Sequence, residues 1–362
     1  MSPAKLELHL AQTELVLDNI GRMNFSDERI KKHLSHLKEL FHKIKKSGYR
    51  KFIPIHLKGT KETIDQLIME LGYLTNNIKE SIVPVELFFC LSLVLKEWLA
   101  DHENYILTTS LSGQLNSYGF DPINEGYLAT LNTFVDYKFG MQFETRLVHF
   151  VMPEALAKDF LANVAMYHEI GHFVEERFQI IEKIFEQESG LKTMHEDELE
   201  QAKDHYREYF CDLFAAQYTG STCSDYVDYI SYKDGPSDTH PSTDERTRVV
   251  YNFLNGLYDD KVNVIKQYTL SITGNELTVR YTIPTAKFDS RGVIKVKSDA
   301  EAHGVFGSGW ICWCKEAGKF PRNLSTGLLD GYKELNELIR LSIRGYMEQT
   351  AESLTSAKPS KV

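Results

Sequence analysis

The chain of 362 residues contains 42% hydrophobic and 25% charged residues, an ordinary soluble composition that can bury a large core in one elaborated domain or two. Its formal net charge of -10 argues against nucleic acid and anionic membranes as main partners, because both would repel it without a basic patch. The five cysteines follow no regular framework, and the sequence has neither a signal-peptide pattern nor a long apolar run. We therefore expect a cytoplasmic protein without a membrane span.

Residues 1–140 make up the first of three predicted regions, which is expected to be mainly helical. Apolar residues recur at helical spacing in residues 6–20, 27–46, 61–74 and 85–100. The segment 51–57 is predicted to form a short strand. Residues 105–118 contain Gly, Ser and other polar residues that are typical of a turn or linker. This region carries no recognisable chemistry.

The second predicted region, residues 141–258, begins with a strand and then a helix. Residues 145–151 alternate enough to form the strand. Within it, residues 147–151 are a candidate for a sheet edge to which an extended peptide can add, with an ordinary core strand as the alternative. Pro153 suits the first turn of the helix, which is expected to end at Gly190.

This long helix contains the sequence His168-Glu169-Ile170-Gly171-His172. The two histidines lie one turn apart on the same face, so both imidazoles can bind one zinc ion, with Glu169 beside them to activate a water. Gly171 allows another backbone to approach closely, at some cost in helix propensity. The motif predicts one zinc ion per chain; a core helix with two incidental histidines is the alternative.

A second helix is expected to begin at residues 196–200 and to end near Gly220. It carries Glu208 and Asp212 one turn apart on one face, among residues that are otherwise mostly apolar. A catalytic zinc needs three protein ligands and an open position for water. We therefore predict Glu208 as the third ligand and Asp212 as the hydrogen-bond partner of a ligating histidine. His205 is the rival third ligand.

A polar loop that becomes a helix follows, with Ser242 or Thr243 as the predicted cap. We predict that His240 and Arg246 in this segment enter the cleft and stabilise the oxyanion of the reaction. An ordinary capped helix start is the alternative.

The third predicted region, residues 259–362, is expected to contain β-hairpins, a C-terminal helix and a short disordered tail. The predicted elements are strands at 268–272 and 277–283 around a Gly274-Asn275 turn, further strands at 293–296 and 310–313, a helix at 326–354 and a tail at 355–362. Cys312 and Cys314 would share one strand face, and with His303 they are candidates for a second metal site. Packing as small apolar groups is the alternative.

The pattern His168-Glu169-x-x-His172, then Glu208-x-x-x-Asp212, then His240-Pro241 with Arg246, resembles the gluzincin metallopeptidases. Its last element is similar to the HtpX and CAAX prenyl endopeptidase type, and the segment 208–216 is similar to the ImmA/IrrE-type peptidases. The resemblance covers roughly residues 145–255, and it implies the zinc-helix fold and peptide hydrolysis. Because this chain has no spanning segment, the membrane substrates of the HtpX and CAAX enzymes are not implied.

We therefore expect an α+β fold with a predominantly helical zincin-like metallopeptidase core, an N-terminal helical region and a C-terminal region that contains β-hairpins. The predicted function is zinc-dependent hydrolysis of a cytoplasmic protein or peptide, with Glu169 as general base. Two alternatives remain open: a non-catalytic module that the metal merely stabilises, and a metal-dependent hydrolase of a non-peptide substrate.

Overall fold

The computed structural model describes residues 3–23, 25, 27–77, 84–115, 117–121, 125–188, 195–231, 235–288, 292–315 and 328–356. Of these residues, 72% lie in helices and 6% in strands, so the fold is predominantly helical with one small sheet. This composition is consistent with the expected α+β class.

The helices within the described residues are α1 Pro3–Gly21, α2 Glu28–Lys46, α3 Pro54–Asn77, α4 Val85–Trp98, α5 Glu125–Phe139, α6 Met166–Phe178, α7 Ile180–Gln187, α8 Glu196–Thr219, α9 Thr222–Ser231, α10 Thr243–Leu254, α11 Asp260–Thr273, α12 Asp299–Trp310 and α13 Leu328–Ser356. The strands are β1 Tyr105–Ser112, β2 Gly119–Asp121 and β3 Arg146–Pro153, and the order in the sheet is β1-β3-β2.

The chain groups into two compact units. The first comprises Met1–Val83, Asp101–Ser112 and Asp121–Met152, and the second comprises Pro84–Ala100, Gly113–Phe120 and Pro153–Val362. The boundaries expected near residues 140 and 258 do not separate these units. All residues of the predicted zinc site lie in the second unit.

In the first unit, the predicted helices form because apolar residues recur every three or four positions. In α2, for example, Leu34, Leu37, Phe41 and Ile44 are buried on one stripe, and the Asp27 side chain caps the helix by accepting a hydrogen bond from the backbone N–H of residue 29. The four helices predicted before residue 105 are therefore all present as α1 to α4.

The predictions for the sheet were partly wrong. Residues 105–118 were expected to be a linker, but β1 occupies Tyr105–Ser112, where the hydroxyl of the buried Thr108 lies 2.9 Å from Nδ1 of His149 on β3. The strand expected at 51–57 is also absent, because Pro54 begins α3. The strand predicted at 145–151 is confirmed as β3, but β3 is the central strand and not an edge.

The helix that carries the HExxH sequence is shorter than predicted. Pro153 is the last residue of β3, and α6 begins only at Met166. The helix stops at Gln179, which adopts the left-handed conformation with φ of 54°, and α7 starts at the next residue. The predicted end at Gly190 lies outside the described residues.

The hairpin predicted around Gly274 is wrong. Residues 260–273 form α11, which begins after Asp259 and is capped at its C-terminal end by Gly274 with φ of 74°. No strand is found at 277–283 or at 293–296 among the described residues. The C-terminal helix is confirmed as α13, which continues to Ser356, and the rest of the predicted tail lies outside the described residues.

The candidate second metal site at Cys312 and Cys314 has no geometric basis among the described residues. Both residues lie in a π-helical turn, Ile311–Lys315, and not on a strand face, so Cys312 is buried while Cys314 is exposed. His303 is buried in α12, where its Nδ1 lies 2.8 Å from the hydroxyl of Tyr167, and burial lowers its pKa to about 3. No donor cluster with these residues is found in the described part of the chain.

No helix in the described ranges is both long enough and apolar enough to cross a membrane, in agreement with the sequence prediction.

The packing of α12 yields a prediction about stability. A methyl group on Gly304 would lie far inside van der Waals contact with the carbonyl oxygen of Thr282, which side-chain rotation cannot relieve. We expect Gly304→Ala to lower the free energy of unfolding by about 3 kcal/mol. The matched control is Gly345→Ala in α13, where the space is open, and it is expected to stabilise by about 0.5–1 kcal/mol. Equal denaturation midpoints for both variants would contradict this packing.

Candidate metal centre

The centre is built where α6 and α8 come close together at Gly171. A Cβ atom on this glycine would lie 3.0 Å from Cα of Cys211 and 3.3 Å from Cβ of Phe214. A larger residue would therefore push the helices apart. The close approach expected from the glycine brings the histidine face of α6 onto the acidic face of α8.

Three side chains meet at this contact with the spacing of zinc ligands. Nε2 of His168 and Nε2 of His172 lie 3.1 Å apart, and each lies 3.4 Å from a carboxylate oxygen of Glu208. Ligand atoms with bonds of about 2.0–2.1 Å to a tetrahedral ion are about 3.3 Å apart. In addition, Oε2 of Glu208 is buried and accepts no well-aligned hydrogen bond among the described residues, although the Arg246 guanidinium lies 3.1 Å away as an ion-pair partner. The donor set therefore fits zinc.

A rival third donor is Cys211, which sequence reasoning missed although it lies one turn after Glu208. The donor atoms of His168, His172 and Cys211 lie within 4.8 Å of one another. Burial raises the pKa of the Cys211 thiol, which opposes the thiolate that binds metal, and the residue does not line the cleft. We favour Glu208, because it lines the cleft and its two oxygens each face one imidazole.

The predicted partner of a ligating histidine is in place. Nδ1 of His168 lies 3.0 Å from Oδ1 of Asp212, and because a carboxylate only accepts, the imidazole donates through Nδ1. Its Nε2 is thereby directed toward the other donors. Arg246 donates to both oxygens of Asp212, at 2.7 and 2.8 Å, and its Nη2 lies 3.1 Å from Oε2 of Glu208.

The electrostatic field at the centre favours a cation. Burial disfavours the charged form of His168, but the charge of Glu208 and the hydrogen bond to Asp212 outweigh it and raise the pKa of His168 to about 10. Burial also opposes the charge of Glu208, yet His168, His172 and Arg246 hold its pKa well below the usual range. The field that favours a proton on His168 would also favour a metal ion, which would bind there in place of that proton.

The other predicted residues take different positions. The Nε2 of His205, the rival ligand, is engaged elsewhere, because it donates to the carbonyl of Ser237 at 2.8 Å. His240 lines the cleft with its side chain 56% exposed, and its Nε2 lies 3.7 Å from Oε1 of Glu208. Ser242 caps α10 as expected, and Arg246 is buried on that helix.

A cleft of about 380 Å³ opens beside these residues and contains His168, Glu169, Glu208, His240 and Arg246 in its lining. The remaining wall includes apolar or aromatic side chains of Tyr118, Ala165, Cys223, Tyr226, Val227 and Ile230. The rings of the two tyrosines meet edge to face, with centroids 6.1 Å apart.

Sequence reasoning did not predict the α9 side of this wall. Its residues Cys223 and Val227, and likewise Tyr226 and Ile230, are spaced four apart. This spacing marks one face of a helix but does not reveal what the face lines.

The geometry predicts which side chains hold zinc. We expect about one zinc per chain. His168→Ala and Glu208→Ala should each lower zinc affinity by well over about hundredfold, because loss of a ligand's hydrogen-bond partner alone lowers it about 10- to 100-fold. Cys211→Ala should keep affinity close to wild type, with Cys223→Ala as the control for removal of a buried thiol. Elemental analysis and chelator competition measure these values. If Glu208→Ala kept its zinc and Cys211→Ala lost it, Cys211 and not Glu208 would be the third ligand.

The chain matches no protein-family model, no curated protein and no solved structure, so the support for this metal centre comes from the arrangement of its own residues.

Proposed function

We propose that the protein is a zinc-dependent peptidase of the gluzincin type with a zincin-like core, acting on a polypeptide in the cytoplasm. The observation that carries the proposal is the convergence of His168, His172 and Glu208 at zinc-ligand spacing, beside a cleft that Glu169 also lines. The cytoplasmic part of the proposal is supported by the buried thiols of Cys90, Cys211 and Cys223, which form no disulfide.

A bound zinc ion would polarise the scissile carbonyl and lower the pKa of the attacking water toward neutrality. Glu169 is the general base in this proposal, because it lies on the same helix as the histidines, lines the cleft and is not one of the ligands. It accepts the proton of the water and passes it to the leaving amine. Asp212 orients His168 through the hydrogen bond to Nδ1.

The two residues expected to stabilise the oxyanion have different surroundings. Arg246 is buried, and its Nε and Nη2 are engaged with Asp212 and Glu208, so we now propose that it positions these carboxylates. His240 remains our candidate donor to the oxyanion, because its exposed imidazole faces the cleft next to Glu208.

One observation favours a second candidate function. If His240, whose Nε2 is 3.7 Å from Glu208, became a fourth ligand, four protein ligands would close the site and make the zinc purely structural. The apolar cleft wall and the position of Glu169 favour the catalytic proposal instead, since a structural site needs neither. Hydrolysis of a non-peptide substrate is a further variant of the catalytic proposal.

The role of Glu169 is tested by Glu169→Gln. We expect this variant to keep one zinc per chain and its melting temperature, but to lose about 10²- to 10⁴-fold in peptide hydrolysis, because the amide cannot accept the proton of the water. Glu176→Gln on the same helix is the matched control, since Glu176 does not line the cleft. Turnover of a mixed peptide library by each variant is the measurement. Undiminished turnover in Glu169→Gln would refute the proposed mechanism.

The role of His240 is tested by His240→Ala. A donor to the oxyanion acts mainly in the transition state, so we expect turnover to fall about hundredfold or more while zinc content, melting temperature and substrate affinity stay close to wild type. Arg246→Ala should instead destabilise the protein by about 3–5 kcal/mol, because it leaves two buried carboxylates uncompensated. Loss of zinc from His240→Ala would identify the closed, structural site.

A further inference from the structure

The loop that carries His240 is fixed by bonds within itself. The backbone N–H of Ser237 donates to the carbonyl of His240 at 2.8 Å, and the backbone N–H of His240 donates to the hydroxyl of Ser237 at 3.0 Å. These two residues therefore move together. Whatever holds Ser237 also fixes the place of His240.

The hold on Ser237 comes from α8, the helix that carries Glu208. The carbonyl of Ser237 accepts a hydrogen bond from Nε2 of His205 at 2.8 Å, and a longer one from Nε2 of Gln201 at 3.4 Å. Since a carbonyl only accepts, the proton of this bond belongs to Nε2 of His205. His205 lies three residues before Glu208, so the same helix presents the ligand and holds the loop.

We infer that His205 is a positioning residue that fixes the His240 imidazole beside the metal centre through Ser237. This inference rests on the proposed function, and it assigns a task to a histidine that the zinc site does not use. Without the anchor, the longer bond from Gln201 would be the remaining hold of α8 on Ser237, beside contacts within the exposed loop such as the 2.8 Å bond between Nδ1 of His240 and the hydroxyl of Thr239. An unanchored donor spends part of its time away from the oxyanion position.

The test compares His205→Ala with His205→Gln, because the glutamine amide can replace the Nε2 donor. We expect His205→Ala to lower kcat about two- to tenfold, the range that one net hydrogen bond corresponds to, with KM and zinc content unchanged. His205→Gln should restore most of the rate. His42→Ala is the matched control, since the hydrogen bond of His42 goes to the carbonyl of Lys38 in its own helix, away from the loop.

Two further measurements separate positioning from a merely structural role. In a double-mutant cycle, His205→Ala added to His240→Ala should cause no further loss of rate, because the anchor acts through His240. Amide hydrogen exchange at Ser237 and His240 should be faster in His205→Ala than in wild type and should return in His205→Gln. Additive rate losses, or unchanged exchange, would overturn the inference.

The exchange measurement needs no turnover, so it separates this inference from the proposed function. If the wild type hydrolyses no peptide, the proposed function fails and the anchor is judged by exchange at Ser237 alone. In that case, faster exchange in His205→Ala would still support the role of His205 as anchor, whereas unchanged exchange would overturn that role too.

Discussion

The arrangement of the candidate centre depends on compensation of buried charge around Asp212. This carboxylate is only 3% exposed, so its charge would be strongly unfavourable without partners. Arg246 on α10 and His168 on α6 supply them, which fixes the positions of α6 and α10 relative to α8. Removal of either partner leaves the buried charge of Asp212 with a single compensating group. The buried charge pairs thus hold the candidate ligands in position without the help of a bound ion.

Those parts of the site that lie within one helix could be predicted from the sequence. His168 and His172, and likewise Glu208 and Asp212, are one turn apart, and helix geometry alone places each pair on one face. The partner of Arg246 could not be predicted in the same way, because α8 and α10 meet only in the tertiary structure. Spacing along a chain does not tell which buried carboxylate a cation will reach.

The errors in the fold have a similar physical origin. Alternation over residues 268–272 suits a strand, but these residues complete α11, where Val262 and Ile265 are buried one turn apart. The glycine that follows can form either a hairpin turn or a helix cap, so it does not distinguish the two structures. The polar Thr108 argued for a linker, yet its hydroxyl is satisfied by His149, which lies far along the chain. Such distant partners leave no local signal.

The contact at Gly171 also bears on which ions the centre can hold. Because α6 and α8 meet there through a glycine and the main chain of Cys211, rotation of side chains cannot widen the gap between the two ligand-bearing faces. Calcium takes six to eight oxygen ligands, whereas this candidate site offers two imidazoles and one carboxylate, at a spacing that zinc bonds near 2.0–2.1 Å fit. The main chain therefore sets how far apart the two faces stand, and the chemistry of the donors distinguishes one cation from another.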